Sequence, residues 1–180
     1  LNNPLKYIDP SGNEIKLKDM DQRDNFQKWM NELTGNNYFW INEEGFVKFG
    51  GGFEGSKEQK KLYNLITSLI RDDREVGVSI GLPDNPAEEE YSSYTSPLIK
   101  EGLDVFIETS SSDSLSLGEK GTKIPFNSQV VLAHEFGHAQ GKFKHGESSK
   151  KIYNFGETQG VKYENYARKV LGMNKRVYYS

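Results

Sequence analysis

The feature that most constrains this chain is the segment from His134 to His138, which reads His-Glu-x-x-His. In an α-helix, side chains four residues apart lie on the same face, with their Cβ atoms about 5–6 Å apart. The two imidazoles can therefore bind one metal ion, while the carboxylate of Glu135 lies beside any water that the ion binds. Two histidine ligands with a glutamate as general base are typical of zinc hydrolases. The motif thus predicts a helix that carries a zinc site.

The distribution of histidine strengthens this prediction. The chain has only 3 histidines among its 180 residues, and all three lie between residues 134 and 145. Such a cluster of histidines, on one helix and in the loop predicted to follow it, is typical of metal binding. The alternative interpretation is that the histidines are ordinary core residues on an apolar helix and that the motif is accidental.

The residues around the motif favour a helix with one buried face. Residues 125–128 provide a helix breaker and two possible N-caps, and Gly141 is a natural stop. Leu132, Phe136 and Ala139 fall at i, i+4 and i+7, which places them on one apolar face. We expect this face to be buried and the histidine face to be open to a substrate.

Composition narrows the classes of protein to which the chain can belong. With 180 residues, 34% of them hydrophobic, it can bury one sizeable core but is short for two. Its net charge of −3 gives no reason to expect nucleic acid or a membrane surface as a partner. The absence of cysteine excludes disulfides and thiolate ligands. Since the chain opens with Leu1 and not with methionine, we expect it to be part of a longer protein.

Hydrophobic periodicity predicts the other elements of an α+β fold. We expect helices over 19–33 and 57–70, a hairpin made by 38–41 and 46–49, and strands over 76–80 and 103–108. The last of these strands is expected to border the cleft, where an extended substrate would pair with it. Residues 82–97 are expected to form a surface loop.

Zinc in a hydrolase needs a third protein ligand and leaves its fourth position to water. The candidates that follow the motif are His145, Glu147, Glu157 and Glu164. His145 lies one residue later than the third histidine of the metzincin pattern, and Glu147 lies in a predicted basic loop. Glu157 and Glu164 share one stripe of a helix predicted over 157–171. The chain resembles gluzincins, in which the third ligand is a glutamate on the next helix, and this favours Glu157 with Glu164 second.

The N-terminal residues contain turn signals and resemble the end of a larger architecture. By turn chemistry alone they form a linker or a surface turn. The spacing Pro-x-x-x-x-Asp-Pro-x-Gly, which runs from Pro4 to Gly12, is similar to the end of the Rhs/YD-repeat core. That core is a large β-shell, usually followed by a variable toxin domain. The resemblance implies that residues 1–18 are the end of the core and a junction, and that residues 19–180 are the toxin domain.

The C-terminal part of the chain, over roughly residues 125–180, resembles the zinc metallopeptidase family of the type III effector NleD. The resemblance is carried by the motif and then by Glu157-x-x-Gly160, Glu164-Asn165-x-x-Arg168, Gly172, Arg176 and Tyr179. The final Arg-x-x-Tyr is also similar to the arginine–tyrosine pair of clostridial neurotoxin light chains, where it helps to stabilise the transition state. These likenesses imply a zincin-like α+β domain, with a small sheet and a glutamate-bearing helix after the motif helix.

The resemblances imply a zinc metalloendopeptidase that is the toxic effector of an Rhs-type toxin. The zinc would be held by the motif histidines and Glu157; Glu135 would act as general base, and Arg176 and Tyr179 would stabilise the oxyanion. The implied partners are a protein substrate in the cytosol of a target cell, a cognate immunity protein and the parent shell, without nucleic acid or membrane insertion. A zinc hydrolase of a non-peptide amide or ester and a non-enzymatic binding module with a vestigial zinc helix stay open as alternatives.

Overall fold

A computed structural model describes residues 15–81, 93–108, 116–117, 123–124, 127–146 and 150–177, without the side chains of 116–117, 123 and 150–157. The described part mixes helices with small sheets, as the α+β prediction requires. The elements in chain order are β1 (Ile15–Leu17), α1 (Arg23–Thr34), β2 (Phe39–Ile41), β3 (Val47–Phe49), α2 (Lys57–Ile70), β4 (Glu75–Gly81), β5 (Tyr94–Thr95), β6 (Gly102–Glu108), β7 (Ser116–Leu117), β8 (Lys123–Ile124), α3 (Ser128–His145) and α4 (Lys150–Val170).

The largest sheet has four strands in the order β1-β4-β6-β5. Strands β1, β4 and β6 are parallel, and β5 runs antiparallel to β6. Val76, Val78 and Ile80 are buried, which confirms the strand predicted from their alternation. Two antiparallel ribbons, β2–β3 and β7–β8, complete the described β-structure, and the first of them is the predicted hairpin.

The outer strand of this sheet lies where the sequence predicts only a loop. Tyr94 and Thr95 form β5, so β6, which was expected to border the cleft, is an internal strand. The side chains explain the difference. Tyr94 stacks on Phe106 of β6, with ring centroids 5.7 Å apart, and such cross-strand aromatic pairs stabilise a sheet. The polar sequence around these residues conceals that pairing.

The first strand precedes the predicted domain boundary at residue 19. Ile15 and Leu17 of β1 are buried and pair with Val76 and Val78 of β4. The sheet therefore includes residues that the sequence analysis assigns to the junction. The Rhs-like segment, residues 4–12, lies outside the described residues, so the division of the chain stays a prediction.

The two N-terminal helices follow the predicted periodicity. Helix α1 begins at Arg23, later than expected, because Asp19 caps a short 3-10 helix over Met20–Gln22. Gly35 ends α1 in the left-handed conformation, with a φ of 82° that favours glycine. Helix α2 has the predicted bounds, and a capping box between Ser56 and Gln59 fixes its start.

The motif helix α3 is longer than its sequence suggests. The predicted N-cap is confirmed, since Asn127 Oδ1 accepts a hydrogen bond of 2.9 Å from the Val130 amide. Gly141 does not end the helix, which continues to His145 and stops at Gly146, where φ is 73°. Packing explains the extra turn, because the guanidinium of Arg74 lies 4.2 Å from the centroid of the Phe143 ring.

Helix α3 is enclosed on nearly all sides. Leu132, Phe136 and Ala139 are fully buried, which confirms the predicted core face. The expectation that the histidine face is open is wrong, because His134 is only 9% exposed and Glu135 only 5%. The cause is α4, which begins earlier than predicted and packs along that face. Among the described residues, no helix is long and apolar enough to cross a membrane.

Candidate metal centre

The imidazoles of His134 and His138 meet on the face of α3 that turns toward α4. Their Nε2 atoms are 2.9 Å apart, and the ring centroids are 4.7 Å apart. Zinc binds imidazole nitrogen at about 2.0–2.1 Å in tetrahedral geometry, which places two such nitrogens roughly 3.3 Å from each other. The observed separation is a hydrogen-bond distance between the two rings, and it is about 0.4 Å shorter than the one that a shared ion requires.

The second nitrogen of His134 contacts a buried carboxylate. His134 Nδ1 lies 3.0 Å from Oε2 of Glu164 on α4, and Glu164 is fully buried. A histidine that binds a metal commonly donates its other N–H to a carboxylate, which fixes the ring and leaves the ligating lone pair free. Glu164 thus lies on the Nδ1 side of His134, in the place of an orienting carboxylate. This is not the place of a third ligand, the role for which it was the second candidate.

Glu164 is the centre of a buried charge cluster. Its Oε1 accepts a hydrogen bond of 2.8 Å from Arg168 Nε, and its Oε2 accepts one of 3.0 Å from Arg176 Nη1. Burial by itself would raise the pKa of Glu164, but the hydrogen bond and charge of His134, together with the two arginines, outweigh burial and lower that pKa. The carboxylate is therefore ionised and acts as an acceptor.

Arg176, predicted to stabilise an oxyanion, lies against Glu164. The side chain of Asn165 fixes its backbone, accepting from the Arg176 amide at 2.8 Å and donating to the Arg176 carbonyl at 3.0 Å. The chain near its C-terminus is thus bound to α4. The predicted role of Arg176 toward an oxyanion stays a prediction. Tyr179, its predicted partner, lies outside the described residues.

The predicted general base, Glu135, contacts the outer strand β5. The hydroxyl of Thr95 donates to Oε2 of Glu135 at 2.7 Å and also lies 3.1 Å from the backbone oxygen of the same residue. Lys142, two turns further along α3, donates to the backbone oxygens of Thr95 and Ser96 at 3.3 and 2.7 Å. Strand β5 is therefore bound to the motif helix at two levels. Sequence reasoning missed Thr95, since nothing in its spacing connects it with the motif.

The described side chains provide no third ligand beside the two histidines. Among the described side chains, no group of three or more His, Asp or Glu residues surrounds one point. Glu157 lies in α4 one turn before Gly160, but its side chain is outside the described set, as is the whole of Glu147. His145 is exposed and lies two turns, or about 10 Å, beyond His138 along α3, which separates it from the pair.

Glycines set the distance between α3 and α4 at the level of the histidines. A Cβ on Gly137 would lie 2.9 Å from the backbone oxygen of Gln159 and 3.1 Å from the Cα of Gly160. The backbones of the two helices approach too closely there for a larger residue. This approach brings α4 against the imidazoles and gives Glu164 its contact with His134.

Comparison of the chain with protein-family models, with curated proteins and with solved structures found no match. Its function is therefore inferred from the residues of the site.

The chemistry of the donors present fits a transition metal such as zinc better than it fits magnesium or calcium. Two imidazole nitrogens suit zinc, whereas magnesium and calcium take oxygen ligands. A buried carboxylate behind one of the histidines is the usual outer partner of such a ligand. Glu135, on the same helix turn, adds a carboxylate that is itself fixed by a hydroxyl group.

Proposed function

We propose that this chain is a zinc-dependent metallopeptidase of the zincin-like type. The observation that carries the proposal is the pair of Nε2 atoms 2.9 Å apart on His134 and His138, with Nδ1 of His134 on the buried Glu164. The two histidines would hold the zinc, and Glu157 would be the third ligand. Zinc held by these residues would supply Lewis-acid chemistry: it would lower the pKa of a water to about 7 and polarise the scissile carbonyl.

The residues of the chain have separate roles in this reaction. Glu135 accepts the proton of the attacking water and passes it to the leaving amine. Thr95 holds one carboxylate oxygen, so that the other is free to take the proton. Glu164 fixes the orientation of His134 by contacting its Nδ1 atom. The Nε2 lone pair on the other side of the ring therefore points away from Glu164.

The position of β5 favours a peptide as the substrate. This strand lies at the outer edge of the four-stranded sheet, and its Thr95 is within hydrogen-bond distance of the general base. An extended peptide binds well along a strand edge because backbone groups pair without regard to side chains. The edge would hold such a peptide beside Glu135.

We further propose that the domain is the toxic part of an Rhs-type toxin, because of the resemblance carried by residues 4–12. It would be delivered into a target cell and would act on a protein in the cytosol. The producing cell would need a cognate immunity protein as a partner, and the β-shell of the parent chain would be a further partner.

The decisive experiment compares the natural chain with Glu135→Gln in a proteome-wide search for new protein termini. We expect the natural chain to cleave at least one protein, and the variant to keep its zinc while its turnover falls about 10²–10⁴-fold, because the general base is lost. Glu43→Gln, at an exposed turn, is the control and should cleave normally. Cleavage by Glu135→Gln at the natural rate would disprove the assigned role, and a natural chain that cleaves nothing would remove the peptidase proposal.

A further inference from the structure

Gly160 of α4 faces both motif histidines from the opposite helix. A Cβ at this position would lie 2.9 Å from Nε2 of His134 and 2.9 Å from Nε2 of His138. Non-bonded carbon contacts are optimal at about 3.5–4.0 Å. No side chain larger than hydrogen therefore fits at position 160 while the rings keep their places. The two atoms that it would displace are the two proposed zinc ligands.

The backbone at Gly160 does not by itself require glycine. The residue lies inside α4, in a helical stretch, where glycine destabilises the helix relative to alanine. Its φ is also not positive, so its backbone conformation is open to other residues. Glycine at position 160 destabilises its helix, and its backbone conformation does not require glycine. Its presence is explained by the space that it leaves for the two imidazole rings.

We infer that Gly160 is a positioning residue of the metal site, whose missing side chain lets the two imidazoles converge on one ion. This inference rests on the proposed zinc function and adds to it a residue on α4 that decides whether the histidine pair is able to bind. Metal loading and folding of the domain are then separable at this position.

Three glycines at the contact between α3 and α4 differ in what a methyl group would meet. At Gly137 it would meet rigid backbone, 2.9 Å from the oxygen of Gln159. At Gly141 it would make ordinary contacts of 3.9 Å with the side chain of Gln159. At Gly160 the nearest atoms are the ends of two imidazole rings. His134 is held by Glu164, whereas His138 is only partly buried and is able to turn away by side-chain rotation. Alanine at position 160 should therefore displace the His138 ring and leave the helices and the contact between His134 and Glu164 in place.

The experiment measures zinc affinity by competition with a chelator, and the melting temperature of the metal-free protein, for three proteins. These are the natural chain, Gly160→Ala and the matched control Gly141→Ala. We expect Gly160→Ala to weaken the affinity for zinc about 10–100-fold, which is the usual effect of disturbing the partners of a metal ligand. The melting temperature of its metal-free form should stay close to that of the natural chain, because the contact between His134 and Glu164 is kept. Gly141→Ala should leave the zinc affinity unchanged.

Different results would overturn different statements. Zinc affinity in Gly160→Ala equal to that of the natural chain would overturn the inference about position 160 and leave the zinc proposal intact. A metal-free Gly160→Ala that melts well below Gly141→Ala would overturn it as well, because the backbone and not the rings would have yielded. A natural chain that binds no zinc would instead overturn the proposed function, and the inference with it.

Discussion

The buried carboxylate of Glu164 connects the motif helix with the chain near the C-terminus. Glu164 contacts His134, Arg168 and Arg176 within 3.0 Å, and the first two of these partners lie on different helices. Leaving any partner of a buried charge unpaired is costly, so the cluster acts as a unit. The orientation of His134 is thereby linked to the chain near the C-terminus. Arg176 thus has a structural contact near the histidines, whichever role it takes toward a substrate.

Thr95 gives a test of how strictly Glu135, the proposed general base, must be held. Thr95→Val has nearly the same shape but lacks the hydroxyl that donates to Glu135 Oε2. A hydrogen bond to a charged group contributes about 1.5–3 kcal/mol, so turnover should fall roughly 10–100-fold with little change in KM. The measurement is the kinetics of the natural chain and its variants on the protein substrate, with zinc content checked alongside.

Thr95→Ser is the matched control for that measurement, because serine keeps the hydroxyl and loses only a methyl group. It should restore most of the turnover. Equal rates for the valine and serine variants would show that the hydroxyl does not position Glu135.

At the scale of elements, sequence periodicity predicts the helices and strands that bury an apolar face. It misses the elements whose bounds depend on contacts between residues distant in sequence. Helix α2 has the predicted bounds because its apolar stripe and its capping box are both local. Strand β5 is missed because its stability depends on Phe106 and Glu135, which are distant in sequence. The prediction of a helix end at Gly141 fails for a related reason, since the last turn is stabilised by the contact of Phe143 with Arg74, which is distant in sequence.

The candidate site was predicted only in its local part. The spacing of His134 and His138 is enough to place both on one helix face, because helical geometry is fixed. The contact between Glu164 and His134 depends on how α4 crosses α3, and no pattern within either helix encodes that. Gly160 appears in the sequence as a motif glycine, but its relation to the imidazoles follows only from the crossing.

The last turn of α3 is bound to the turn before β4 by Arg74, whose ion pair with Asp72 should respond to pH. Arg74 makes two hydrogen bonds to Asp72, of 2.7 and 2.9 Å, and a third of 2.9 Å to the Phe143 carbonyl. Burial alone would raise the pKa of Asp72, but the hydrogen bonds and charge of Arg74 outweigh it and lower that pKa. The ionised carboxylate therefore stabilises the fold above its unfolded pKa, and this contribution disappears as the pH falls through the lowered folded value.

Asp72→Asn should accordingly reduce the free energy of unfolding by about 1 kcal/mol at neutral pH. The difference from the natural chain should vanish in acid, where the natural carboxyl is protonated too. Denaturant unfolding at several pH values measures this. The exposed neighbour provides the control, since Asp73→Asn should have a smaller effect. A constant difference at all pH values would contradict the assignment.

For the whole molecule, the N-terminal strand decides where the folded domain begins. Removing residues up to 18 would delete β1 and expose the surface of β4 against which Ile15 and Leu17 pack. Full burial of two such side chains contributes roughly 3–6 kcal/mol, a large part of the stability of an ordinary domain. We expect a chain that starts at residue 19 to melt far below one that starts at residue 15. Calorimetry of the two would decide, and equal melting temperatures would show that β1 is dispensable.

The strand order has a mechanical consequence for any protein joined to the N-terminus. Strands β1 and β5 lie at opposite edges of the four-stranded sheet, with β4 and β6 between them. A force transmitted through residue 15 therefore loads the edge remote from Glu135, and a bulky fusion partner would stand away from the strand that contacts this proposed general base. Pulling on such a partner would detach β1 before it disturbed Thr95. The attachment point and the proposed catalytic residues therefore lie at opposite edges of one sheet.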